Sequence, residues 1–206
     1  HMLYNSDNTK KISFPLGGIG SGCIGLGGDG RLIDWEIFNR PSKGSINGYS
    51  HIAVKAKTKD GFVTKILNSD LTENVTGKYE RKNFNGFGFG PKSQTMCAFP
   101  HFRHHSFKGE FPFAELSFWD EKFPGRVKLT AFNPFIPLDD KNSSIPGAFF
   151  EIKTENITNE EIEYQIAFTL SNPYMCSKNY VVESDNYNII MLKNGDPNVD
   201  ELSTEY

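Results

Sequence analysis

The feature that most constrains this chain is a hydrophobic period of two residues that recurs along it. Ile162, Tyr164, Ile166, Phe168 and Leu170 fall on one side of an extended segment, with Glu161, Glu163, Gln165 and Thr169 on the other. Successive side chains of a strand point to opposite faces, so this alternation predicts a strand with one buried face. Phe150, Ile152 and Thr154 alternate with Glu151, Lys153 and Glu155, and Asn156 to Asn159 read as a turn. The two segments are expected to pair as a hairpin that forms the backbone of the second half. Val127, Leu129 and Ala131 alternate with Lys128 and Thr130. Ile52, Val54 and Ala56 alternate with Lys55 and Lys57, and Lys59-Asp60-Gly61 turns the chain into Phe62 to Leu67, which is strand, Asp-Gly turn, strand.

No extended window shows a clean 3.6-residue period, and turn signals separate short strands throughout. Eighteen Phe, eight Tyr and two Trp, alongside 19 Gly and 11 Pro, suit strands punctuated by turns. The expected fold class is all-β, a large antiparallel β-sandwich with few or no helices. At 206 residues the chain can bury a core without disulfide or metal staples. Residues 83–111 read as long connections with strand fragments.

Several function classes recede at this point. Twenty-two Lys and Arg against 25 Asp and Glu leave a net charge of -3, with no field to attract nucleic acid. Apolar runs are as short as Ile189 to Leu192, far below the roughly 18 residues of a membrane helix, so no membrane span is expected. Cys23, Cys97 and Cys176 are widely spaced and suggest neither a disulfide framework nor a zinc site. No signal peptide is visible, and His1-Met2 resembles a cloning remnant, which makes a cytoplasmic location the default expectation. N-x-S/T matches begin at Asn74, Asn142 and Asn156 and carry little weight.

The segment Phe14 to Gly30 holds the densest glycine pattern, and Gly20, Gly22 and Gly25 satisfy G-x-G-x-x-G. A dinucleotide site needs a helix to open immediately after that motif, and Gly27-Gly-Asp-Gly30 followed by Arg31 to Phe38 cannot start one. A hairpin with Gly-Asp-Gly at its tip is expected instead, and no cofactor. Gly18, Gly20 and Gly22 would occupy one face of an extended segment, where another backbone approaches closely. A bulged strand inside the domain's own core is the alternative.

Asp34 and Glu36 lie two apart on the expected strand, with Trp35 on the opposite face. Paired carboxylates are the tools of a glycosidase, though such pairs are also common on solvated strand faces. Asp139-Asp140 is expected to form a turn more readily than a cation site. His101, His104 and His105 do not have the spacing of a closed metal site, because adjacent residues of an extended segment point apart.

Two long blocks carry a resemblance. Ile12-Ser-Phe-Pro-Leu-Gly-Gly-Ile-Gly-Ser-Gly-Cys-Ile-Gly-Leu-Gly-Gly-Asp-Gly-Arg-Leu-Ile-Asp-Trp-Glu-Ile-Phe-Asn-Arg-Pro41 is one, and Phe111 to Asp120 continuing through Val127 to Pro146 is the other. Both resemble the N-terminal region of glycoside hydrolase family 116, the family of the non-lysosomal glucosylceramidase and bacterial β-glucosidases. The resemblance implies a supersandwich-like β-domain over residues 3–206, cut before a helical toroid that holds the catalytic carboxylates. It implies that no catalytic residue lies in this chain, Asp34 and Glu36 included. The expected partner is the catalytic domain of the same polypeptide, with a carbohydrate substrate for the whole enzyme. Gly18, Gly20, Gly22 and Trp35 are the candidate docking residues. A free-standing carbohydrate-binding module is the competing expectation, using Trp119 and the Phe-rich stretch 84–89; a structural module without a ligand is a third.

Overall fold

The computed structural model describes residues 2–38, 40–70 and 92–198. The Phe-rich stretch 84–89 lies outside the described residues. The strands are β1 (Leu3–Asn5), β2 (Ser13–Leu16), β3 (Cys23–Gly27), β4 (Leu32–Glu36), β5 (His51–Thr58), β6 (Gly61–Ser69), β7 (His101–Phe102), β8 (His104–Glu110), β9 (Phe113–Trp119), β10 (Arg126–Phe132), β11 (Phe149–Glu155), β12 (Glu163–Thr169), β13 (Ser177–Glu183) and β14 (Asn188–Asn194). Among the described residues one short α-helix, α1, spans Asp140–Ser143, and single 3-10 turns span Ser6–Asn8 and Ser93–Thr95.

The strands form an all-β, sandwich-like body. A five-stranded sheet runs β1-β8-β9-β10-β11, and a four-stranded sheet runs β12-β5-β6-β7. β2-β3-β4 make a third sheet, and β13-β14 a separate ribbon. Every pairing is antiparallel except β6 with β7. The Asp-Gly hairpin is β5-β6, with Thr58 opposite Gly61. The glycine-rich hairpin is β3-β4, with Leu26 opposite Leu32 and the Gly28-Asp29-Gly30 tip between them.

The alternating apolar positions meet in one core. Val54 and Ala56 from β5, Phe107 from β8, Leu116 and Phe118 from β9, and Val127 and Leu129 from β10 belong to one buried cluster. Leu16, Leu26 and Leu32 bring the third sheet into it. Burial of each large side chain contributes about 1.5–3 kcal/mol. Phe102 and Phe118 meet with ring centroids 5.7 Å apart, which joins β7 to β9. Lys65 on β6 adds an ion pair to Asp120, just beyond β9.

Two sequence expectations are corrected. β11 and β12 do not pair as a hairpin: β11 pairs with β10, while β12 pairs with β5 in the other sheet. Alternation fixes which face of a strand is buried, not which neighbour it takes. The chain crosses from one layer to the other, and Phe150 and Phe168 touch with centroids 5.8 Å apart. Residues 104–110, expected as strand fragments within long connections, form one continuous strand, β8, that pairs with both β1 and β9.

Candidate functional site

The Gly18 to Gly22 segment is a turn between β2 and β3, not an extended strand with one bare face. Gly20 has φ +73° and Gly22 has φ +87°, backbone values that other L-residues rarely adopt. A Cβ on Gly22 would stand 2.8 Å from the Glu36 carbonyl oxygen, too close to accommodate. One on Gly18 would meet the backbone oxygens of Ser144 and Ile145. Close backbone approach is therefore real at both positions, and the approaching backbone belongs to this domain. Gly20 alone of the three faces open space.

The turn is fastened to the loop that follows β10. The Gly17 N–H donates to Asn133 Oδ1 at 2.6 Å, and the Asn133 amide nitrogen donates to the Pro15 carbonyl at 3.1 Å. The Ile19 N–H donates to the Ser143 carbonyl at 2.9 Å. Ser143 is itself buried, with its hydroxyl bonded to both the N–H and the carbonyl of Ile136. Asp139 caps α1 by accepting from the Asn142 N–H at 3.0 Å, so the Asp139-Asp140 pair serves the turn it was expected to serve.

This paired-loop end displays apolar side chains. Ile19 is 57 % exposed, Ile136 and Ile145 about half, and Leu138 completely. Leu138 also has φ +66°, a left-handed conformation that costs a branched L-residue about 1–2 kcal/mol. That conformation belongs to a hydrogen-bonded turn, in which the Asp139 N–H donates to the Ile136 carbonyl at 3.1 Å with Pro137 and Leu138 between them, while the Leu138 side chain stands unshielded from water.

Asp34 and Glu36 lie behind the turn and converge on Lys43, whose Nζ is 3.4 Å from Asp34 and 3.3 Å from Glu36. Asp34 is buried and accepts from the Ser13 hydroxyl at 2.7 Å and the Gly44 N–H at 2.6 Å. Burial by itself would raise its pKa, but these donors and the Lys43 ammonium hold it below the ordinary carboxylate value. The Ser42 N–H, aided by Lys43, likewise keeps Glu36 ionised to lower pH. Burial and the Glu36 charge push the Cys23 thiol up, which keeps it protonated and a poor nucleophile. Asp34 has φ +51° at an irregularity in the β3-β4 register, which its side-chain bonds to the 42–45 loop hold in place. These carboxylates anchor a loop; neither has the raised pKa of a general acid.

Trp35 packs against the domain's own core, and its indole N–H donates to the Leu32 carbonyl at 3.2 Å. The histidines are dispersed. His105 points inward and is buried, while His104 lies on the outer face, stacked on Trp119. His101 bonds to Asp70 and to the Phe99 carbonyl. Among the described residues no three His, Cys, Asp or Glu side chains gather as a metal site. Sequence reasoning missed Leu138 and Lys43: a leucine's exposure and a lysine's bridging geometry leave no local pattern.

Residues 13–200 match the family model described as beta-glucosidase 2, glycosyl-hydrolase family 116 N-term. The chain belongs to the N-terminal domain family of the family 116 glycosyl hydrolases. No curated protein matches it closely enough to be significant. The family 116 match spans every strand from β2 to β14, so both the paired-loop end and the Asp34-Glu36-Lys43 cluster lie within it.

Proposed function

We propose that this chain is a non-catalytic β-sandwich module of a retaining β-glycosidase of the β-glucosidase or glucosylceramidase type. It docks on the catalytic domain of the same polypeptide and helps to wall the cleft that receives the carbohydrate substrate. Leu138 carries the docking reading: a fully exposed leucine at a turn position where glycine or asparagine is the usual choice is accounted for when a partner buries it. Ile19 and the open backbone at Gly20 stand on the adjoining turn. Gly18 and Gly22 give that turn its shape, while Trp35 packs against the domain's own core.

The non-catalytic reading rests on the family match over residues 13–200, and the bonds that hold Asp34 and Glu36 to Lys43, Ser13, Gly44 and Ser42 agree with it. A retaining glycosidase needs one carboxyl kept protonated as general acid, and here both are stabilised as anions. The chain alone is expected to leave aryl β-glucosides intact. In the complete enzyme, Leu138→Asp should lower kcat/KM on an aryl β-glucoside and separate the unfolding of the two domains. Wild-type activity and a single unfolding transition in that variant would reject the docking surface.

A further inference from the structure

We propose that the outer face of the five-stranded sheet holds a saccharide-binding groove centred on Trp119. Its position follows from the strand register. Phe118 lies opposite Val127, and Val127 opposite Thr154, with all three side chains on the inward face. Their flanking residues therefore point outward in two rows, Trp119, Arg126 and Glu155 on one side and Ser117, Lys128 and Lys153 on the other. These nine residues line a cleft of about 790 Å³, with the backbone of the central row as floor and the long side chains as walls. That volume falls within the range of small-molecule sites, about 300–1,000 Å³.

The chemistry of the walls selects the ligand. Trp119 is 39 % exposed, and its ring is fixed in place by His104, stacked at 5.7 Å with 20° between the planes. His104 is in turn held by Glu121 at 3.3 Å. A fixed indole offers an apolar platform to the C–H face of a sugar ring at little entropic cost. Lys128 is engaged by Glu115 at 2.8 Å. Arg126, Lys153 and Glu155 make no ion pairs among the described residues and supply donors and an acceptor for hydroxyl groups. With Lys128 held by Glu115, Arg126 and Lys153 against Glu155 leave the groove a positive charge in excess, so the indole platform, and not the charge, selects a sugar ring over a phosphate-type anion. The groove is separate from the paired-loop end and does not depend on the docking reading.

The test is to titrate the ¹⁵N-labelled chain with cellobiose, laminaribiose and, separately, inorganic phosphate. The Trp119 indole resonance should shift with either disaccharide, while that of Trp35, bonded to Leu32, stays in place. Trp119→Ala should weaken binding about tenfold or more and Glu155→Gln several-fold, the latter with thermal unfolding unchanged because the Glu155 side chain faces solvent. No Trp119 shift with either disaccharide, a response to phosphate alone, or undiminished binding by Trp119→Ala and Glu155→Gln would each overturn the proposal. The wild-type indole signal keeps the test decisive even where a variant folds poorly.

Discussion

Lys65 Nζ lies 3.0 Å from the Asp120 carboxylate, with the two side chains only 9 % and 1 % exposed, so one buried ion pair links β6 to the turn after β9. Asp120 also accepts from the N–H groups of Arg103 and Lys122, and Lys65 donates to the His101 carbonyl. Removing one charge strands the other in a region that water does not reach. Lys65→Met should therefore destabilise the chain by about 3 kcal/mol, read from urea unfolding with an unchanged slope. Lys65→Met combined with Asp120→Leu should recover part of that loss; a double variant as unstable as the sum of the singles would contradict the pairing argument.

The buried charges also set the acid response. His105 has its pKa lowered, chiefly by burial, from an ordinary value of 6.5. Its Nε2 lies 2.8 Å from Thr9 Oγ1, whose own proton goes to the Ser6 carbonyl, so Nε2 is the protonated nitrogen of a neutral ring. The unfolded chain takes up this proton first as pH falls, which means stability is fully present above about pH 6.5 and declines below it. Asp34 and Asp120, both held below the ordinary 3.8, keep their contribution above that value and lose it as pH falls through their folded-state pKa values. Unfolding free energy measured from pH 8 to pH 3 should show these two declines. Replacing His105 with Gln should flatten the upper one.

The three candidate glycines should separate by local cause. Gly18→Val and Gly22→Val force a side chain into backbone oxygens and should cost about 3 kcal/mol or more in the chain itself. Gly20→Ala meets open space and should cost only the conformational penalty, about 1 kcal/mol. Thermal unfolding of the three variants gives the order directly, and equal losses would refute it.

Leu138 makes the opposite kind of prediction. Leu138→Asn places a residue tolerant of the left-handed region where a leucine is strained, and it removes no buried contact. The isolated chain should gain about 0.5–1 kcal/mol, seen as a higher Tm. A lower Tm would mean that the exposed leucine supports its own loop.

The sequence made the strands legible wherever one face was buried and the other wet, as in β5 and β10; in β12 the alternation marked the strand although its inward Ile166 and Phe168 stay partly exposed. It also disclosed the turn residues of the two hairpins that formed. It could not disclose that β11 and β12 part company, because Phe150 and Phe168 alternate in the same way whether they share a sheet or face each other across two. The Gly18 to Gly22 pattern was visible, but its positive φ angles arise from the closure of β2 onto β3 and not from spacing. Asp34 and Glu36 showed their type and their offset of two; the neutralising role of Lys43 depends on a loop that folds back seven residues later. Leu138 was invisible because exposure belongs to the whole surface and not to any local run of residues.

The divergence of β11 and β12 has a material consequence. Each is the outermost strand of its sheet among the described residues. On β12 the inward-facing Ile166 and Phe168, partners of Val54 and Ile52 in the ladder, remain 43 % and 48 % exposed. Two seven-residue rims with free main-chain donors and acceptors, one bearing sticky interior residues, are templates on which another copy can grow. Handled at high concentration, the chain should lengthen into stacked assemblies from this side. A lysine placed at Ile166 would act as a gatekeeper, delaying light scattering without touching the groove around Trp119.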